Sequence, residues 1–159
     1  MRIGGDTADT GIGPIAEILR RVNIEDFVSG PVLLCLSTGP RDLDCFEQMP
    51  RSPMPIVGYE FDGTFVERFR KSIELNRSVH DGAIILRRSS HSHPYRVTGW
   101  SQRLVARSGP AEKPVMNRGS AYNSCLATSY CEGVDGVFLL SSNTIYHFVG
   151  GLESAEFKL

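Results

Sequence analysis

Apolar positions along the chain alternate between a helical and a strand period, and the changes of period divide it into elements. Ile15, Ile18, Leu19 and Val22 recur at helical spacing behind Pro14, a residue suited to a first helical position. Asn23 and the Ser29-Gly30-Pro31 turn bound that helix. Residues 32–36 are continuously apolar, the pattern of a strand buried on both faces. Leu43, Phe46 and Met49 share one face if 42–49 makes two helical turns. Three prolines within 50–55 exclude both helix and central strand, so this segment is a connector. Residues 56–66 read as extended, with Asp62-Gly63 as a turn or bend. Over 66–76 the two periods compete: Phe65, Phe69 and Ile73 fit a helical stripe, while 66–70 also fits a half-exposed strand.

Asp81-Gly82 turns the chain into an apolar strand at 83–86, which leads to His91 and His93. Residues 95–98 and 104–107 have the pattern of short strands, and 108–119 is a polar surface loop containing Gly109-Pro110 and Pro114. Tyr122, Leu126 and Tyr130 predict a helix over 120–131, closed by Gly133-Val134-Asp135-Gly136. Residues 137–140 and 144–149 flank Ser141-Ser142-Asn143 as a β-hairpin. There is no internal repeat. The order predicts an α/β (α+β) fold, a single mixed β-sheet flanked by helices. One domain spans 1–159: a flexible lead-in at 1–13, a helix-and-strand part at 14–55, and a core at 56–150.

With 159 residues the chain can bury about two-thirds of its unfolded surface. A net charge of −1 gives no global field for nucleic acid or anionic lipid, so neither is an expected partner. No apolar run is long enough to cross a membrane, and the first residues lack a secretory apolar region. Cys35, Cys45, Cys125 and Cys131 contain no C-x-x-C pair and read as reduced, partly buried thiols of a cytoplasmic protein.

The chemistry concentrates at His91-Ser92-His93-Pro94. If the preceding strand continues through them, both imidazoles point to one face and offer two nitrogens to one metal ion. A catalytic zinc then needs a third protein ligand, an open position for water and a carboxylate to act as base.

Those residues resemble the core of the JAB1/MPN/Mov34 (JAMM) metalloprotease motif. Glu60-Phe61-Asp62-Gly63 is similar to the family's upstream glutamate with a glycine three positions on. Ser101-Gln102-Arg103-Leu104 has the common spacing for the downstream S-x-x-D, but Leu104 cannot bind metal. Ser120-Ala121-Tyr122-Asn123 is preferred, because a helix and a hairpin follow it as in bacterial and phage-type members. The resemblance covers roughly residues 56–150 and implies a JAB/MPN-like fold with cytidine-deaminase-like layering. It implies Zn²⁺ held by His91, His93 and Asn123, Glu60 as the base on the zinc-bound water, and Ser120 as a donor to the oxyanion. The implied substrate is a peptide or isopeptide bond presented as an extended strand. Asn123 stands where the family has aspartate and leaves the site one negative charge short, which implies weaker zinc binding, another metal or a dead enzyme.

Two other classes compete. One is an inactive binding or assembly module on the same fold, of phage or defence-system type. The other is a Rossmann-like binder of S-adenosylmethionine or a nucleotide, suggested by the acidic strand end at 57–62. Against the latter, residues 36–40 lack the G-x-G-x-x-G spacing. The plain alternatives are that Ser120 caps a helix, that His80 is a turn residue, and that His147 is a satisfied sheet histidine.

Overall fold

A computed structural model describes residues 12–25, 30–105 and 115–159. In chain order the elements are α1 (Ile12–Glu25), β1 (Val32–Thr38), β2 (Phe46–Gln48), α2 (Phe65–Leu75), a 3-10 turn (Arg77–His80), β3 (Ala83–Arg88), β4 (Arg96–Leu104), α3 (Ser120–Thr128), β5 (Val134–Ser141), β6 (Thr144–Val149) and β7 (Leu152–Lys158). The seven strands form one mixed sheet in the order β2-β4-β3-β1-β5-β6-β7. Only β1 and β3 pair in parallel; the other neighbours are antiparallel. The fold is α+β, as the element order predicts.

The strand period of two builds a layer on each side. Val32, Leu34 and Leu36 of β1, Ile84 and Leu86 of β3, and Phe138 and Leu140 of β5 join the core beneath α1 and α2. Their neighbours Leu33, Cys35, Ala83, Ile85, Val137 and Leu139 pack on the opposite face beneath α3. Trp100 is fully buried in the first core, within ring-contact distance of Phe65 and Phe69. Burying a side chain of this size contributes about 3 kcal/mol.

The ambiguous segment resolves as helix over Phe65–Leu75, with Asn76 as its extended C-cap. Asp62 Oδ1 accepts the Thr64 N–H at 2.8 Å and the Thr64 hydroxyl at 2.5 Å, which turns the chain into α2. Those bonds hold the Asp62 carboxyl below the usual carboxylate range. Phe65, Phe69 and Ile73 then bury the helical stripe, while Arg70 pairs with Glu67 and Glu74 on the exposed face.

Other elements differ from expectation. Residues 42–49 do not form helical turns: Phe46, Glu47 and Gln48 pair with Leu104, Arg103 and Gln102 as an edge strand, so sheet pairing overrides the helical spacing. The two short strands expected at 95–98 and 104–107 are one strand, β4, irregular at Ser101, whose φ is +53°. Of the second expectation, residues 106 and 107 lie outside the described residues, as does most of the expected loop at 108–119. The helix expected over 120–131 ends at Thr128. A third C-terminal strand, β7, extends the expected hairpin. Residues 1–11 of the expected lead-in also lie outside the described residues.

Candidate functional site

β3 ends at Arg88, before the histidines. Residues 90–93 instead make a turn in which the His93 N–H donates to Ser90 O at 3.1 Å. His91 and His93 are exposed in that turn and do not share a strand face. Arg88 Nη2 lies 2.9 Å from His91 Nδ1. Because a guanidinium can only donate, Nδ1 accepts and the imidazole proton sits on Nε2. His93 Nδ1 lies 2.7 Å from Ser90 Oγ.

Glu60 is exposed and forms an isolated antiparallel bridge with Arg96, at the same end of the sheet as the histidines. Ser120 opens α3 and lines a cleft with Ala83, at the other end of β3. A six-residue strand separates those ends by about 17 Å. Asn123 lies in the same first turns of α3, and its carboxamide is occupied. Its oxygen accepts the Val115 N–H at 2.8 Å, and its Nδ2 contacts the carbonyls of Val115, Arg118 and Gly119 at 3.3 to 3.4 Å. The five residues expected around one zinc are therefore divided: Glu60, His91 and His93 at one end, Ser120 and Asn123 at the other. Among the described residues no group of three or more His, Cys, Asp or Glu side chains converges to hold a metal ion.

What does converge is the cleft at the starts of β1 and β3, with a volume of about 710 Å³. Its apolar walls include Pro31, Leu33, Ala83 and Leu104, and its polar groups include Arg51, His80, Asp81, Arg103, Ser120 and Ser124. Three features shape it. The Asp81-Gly82-Ala83 turn feeds β3, and Gly82 has a φ of +88°, which an L side chain rarely adopts. A Cβ there would lie 2.4 Å from Met49 Cε and 2.9 Å from Gln102 O. Backbone and Met49 therefore close tightly around this turn.

Arg51 fixes the second feature. Its Nε donates to Ser78 O at 3.1 Å, its Nη1 to Pro50 O at 2.9 Å and its Nη2 to Asp81 Oδ2 at 2.9 Å. The Asp81 side chain is 68% exposed, while that of Arg51 is only 18% exposed. The guanidinium is thus a braced support that holds a carboxylate at the cleft mouth. Third, Ser120 and Ala121 of the first α3 turn line the cleft, where a helix leaves N–H groups without intrahelical acceptors. Gly119 supplies no side-chain cap to them.

Sequence reasoning singled out Ser120 and the Asp81-Gly82 turn separately, and it missed Met49, Arg51 and Arg103. The three prolines around Arg51 mark a connector and nothing more. The available signal was one arginine and one methionine flanking those prolines.

No family model matches the chain, and no curated protein matches it. Among solved structures it is similar to a hypothetical membrane spanning protein from Bacillus cereus, determined by structural genomics, with a TM-score of 0.55 and 10% sequence identity. The match covers 94% of this chain and 63% of that one, so this chain spans less than two-thirds of its neighbour's length. At this identity the likeness is one of fold alone. Among the described residues of this chain no helix is long and apolar enough to cross a membrane.

Proposed function

We propose that this chain binds a small phosphate-bearing ligand of nucleotide size in the cleft between the starts of β1 and β3 and the first turn of α3. The observation that carries the reading is the convergence of an apolar wall and an anion-directed end in one recess of about 710 Å³. A flat ring would lie against Pro31 and Leu104. The phosphate end would meet the first turn of α3, where N–H groups and the helix dipole favour negative charge. Asp81, braced by Arg51, would accept a hydrogen bond from a ligand hydroxyl or amine. This keeps the nucleotide-binding class and moves its site away from the acidic strand end at 57–62.

The zinc-peptidase reading would require Ser120 and Asn123 to approach the histidine turn along the length of β3. It would also require the Arg88–His91 contact to break. Metal analysis of the purified protein, beside His91→Ala, decides that reading: about one zinc in the wild type and less in the variant would restore it. Cys35, Cys45, Cys125 and Cys131 are all buried, which supports a reducing compartment, the cytoplasm.

Thermal unfolding with ATP, AMP, adenosine, S-adenosylmethionine and pyrophosphate tests the ligand class. A phosphate-bearing nucleotide should raise the midpoint by mass action, and adenosine should not. Stabilisation by adenosine and S-adenosylmethionine alone would move the class to unphosphorylated ligands.

A further inference from the structure

The opposite end of the sheet holds a second recess, of about 410 Å³, where β1 and β3 end. Arg87, Arg88, Arg96, His93 and Ser89 line it, and none of its lining residues is an aspartate or glutamate. We propose that this recess binds a small phosphate-type dianion, a phosphomonoester or pyrophosphate group.

The three guanidiniums are held in place by bonds that leave donors over. Arg88 Nε donates to Thr38 Oγ1 at 2.9 Å, and its guanidinium sits 4.3 Å over the Tyr95 ring. Thr38 is fixed in turn, because Asp135 Oδ2 accepts both the Thr38 hydroxyl at 2.5 Å and the Tyr95 hydroxyl at 2.6 Å. Arg87 Nε donates to Gly39 O at 3.1 Å and its Nη1 to Asp42 at 2.5 Å. Arg96 Nη1 donates to Gly58 O at 2.8 Å. A guanidinium has five N–H donors, so each arginine keeps several beyond these contacts.

Anchoring of this kind removes much of the rotamer entropy that a free arginine would lose on binding. Two nearby carboxylates are engaged, Asp42 with Arg87 and Asp135 with Thr38 and Tyr95, while exposed Glu60 stands opposite Arg96 in an isolated bridge outside the recess lining. Asp42 offsets the Arg87 charge in part, and a compact dianion would balance the charge of Arg88 and Arg96 while accepting forked hydrogen bonds. The site is independent of the ligand cleft, since the two share no lining residue.

The test is an amide NMR titration with sodium pyrophosphate at constant ionic strength. Amides of residues 87–93 should shift saturably. Arg96→Gln and Arg87→Gln should each weaken binding by about tenfold, the loss of one charge-assisted contact, with the remaining spectrum unchanged. Sodium acetate at the same concentrations should give no saturable shift. Shifts confined to residues 80–83 and 120–124, shifts linear to the highest concentration, or wild-type affinity in Arg96→Gln would overturn the proposal. So would a single-stranded oligonucleotide that moves the same amides with an affinity rising with its length.

Discussion

Asn123 and Val115 are joined by a reciprocal pair of hydrogen bonds: the Asn123 carboxamide oxygen accepts the Val115 N–H at 2.8 Å, and Nδ2 faces the Val115 carbonyl at 3.3 Å. With further contacts to the Arg118 and Gly119 carbonyls, this one side chain ties the approach to α3 onto the helix. An amide can both donate and accept in this position, whereas a carboxylate can only accept. Asn123→Asp should therefore place a charge against three carbonyls and lose about 1–3 kcal/mol of stability, read from urea unfolding. The same variant should gain no zinc by metal analysis. An Asn123→Asp protein as stable as the wild type and carrying one zinc would reverse this assignment.

Gly82 should tolerate no side chain. Gly82→Ala meets both a positive φ and contacts at 2.4 Å to Met49 Cε and 2.9 Å to Gln102 O. The expected cost is about 1–3 kcal/mol, measured by chemical denaturation. Adding Met49→Ala should recover only part of it, because the backbone contact and the φ strain remain. Full recovery would show that the methionine alone sets the limit.

His147 should make stability depend on pH. It lies in the sheet, 5% exposed, stacked on Phe138 with ring centroids 4.2 Å apart and with Nδ1 2.8 Å from Ser154 Oγ. Burial pushes its pKa below the ordinary value of 6.5. Below that value the unfolded chain takes up a proton that the folded chain does not, so stability falls as pH drops. Above it the contribution is fully present. Unfolding free energies between pH 5 and 8, with pH values chosen about the ordinary imidazole pKa, should show this slope in the wild type and a shallower one in His147→Gln. Identical slopes would remove His147 as the cause.

The elements read correctly from sequence are those whose burial leaves a strong pattern. β1, β3 and β5 are covered on both faces, so their apolar runs are continuous and stand out. β7 was hidden for the opposite reason. It is an edge strand of mostly exposed residues in which only Ala155 and Phe157 are half-buried, and its charges resemble a polar tail. Phe46 falls three positions after Leu43 and so mimics a helix, but its pairing with Leu104 is a long-range contact that local spacing cannot report. β4 looked like two strands because Gly99 and the irregular Ser101 interrupt its alternation.

The candidate site was less legible still. Ser120 and Asp81 carry local signals, a helix start and a turn, and neither states that both face one recess with Arg51. The histidine pair was the more conspicuous pattern. It depended on β3 running five residues further than it does, and both histidines sit instead in the turn at 90–93.

The central claim is that the cleft beside Gly82 and Ser120 receives a phosphate-bearing nucleotide. Isothermal titration of the wild-type protein with ATP, in parallel with Ser124→Trp, tests it most directly, because an indole at 124 would fill the recess that Ser124 lines. The expected result is saturable one-to-one binding in the wild type, weakened by at least about tenfold in a Ser124→Trp protein that still unfolds cooperatively. No binding to the wild type, or equal binding to both proteins, would contradict it.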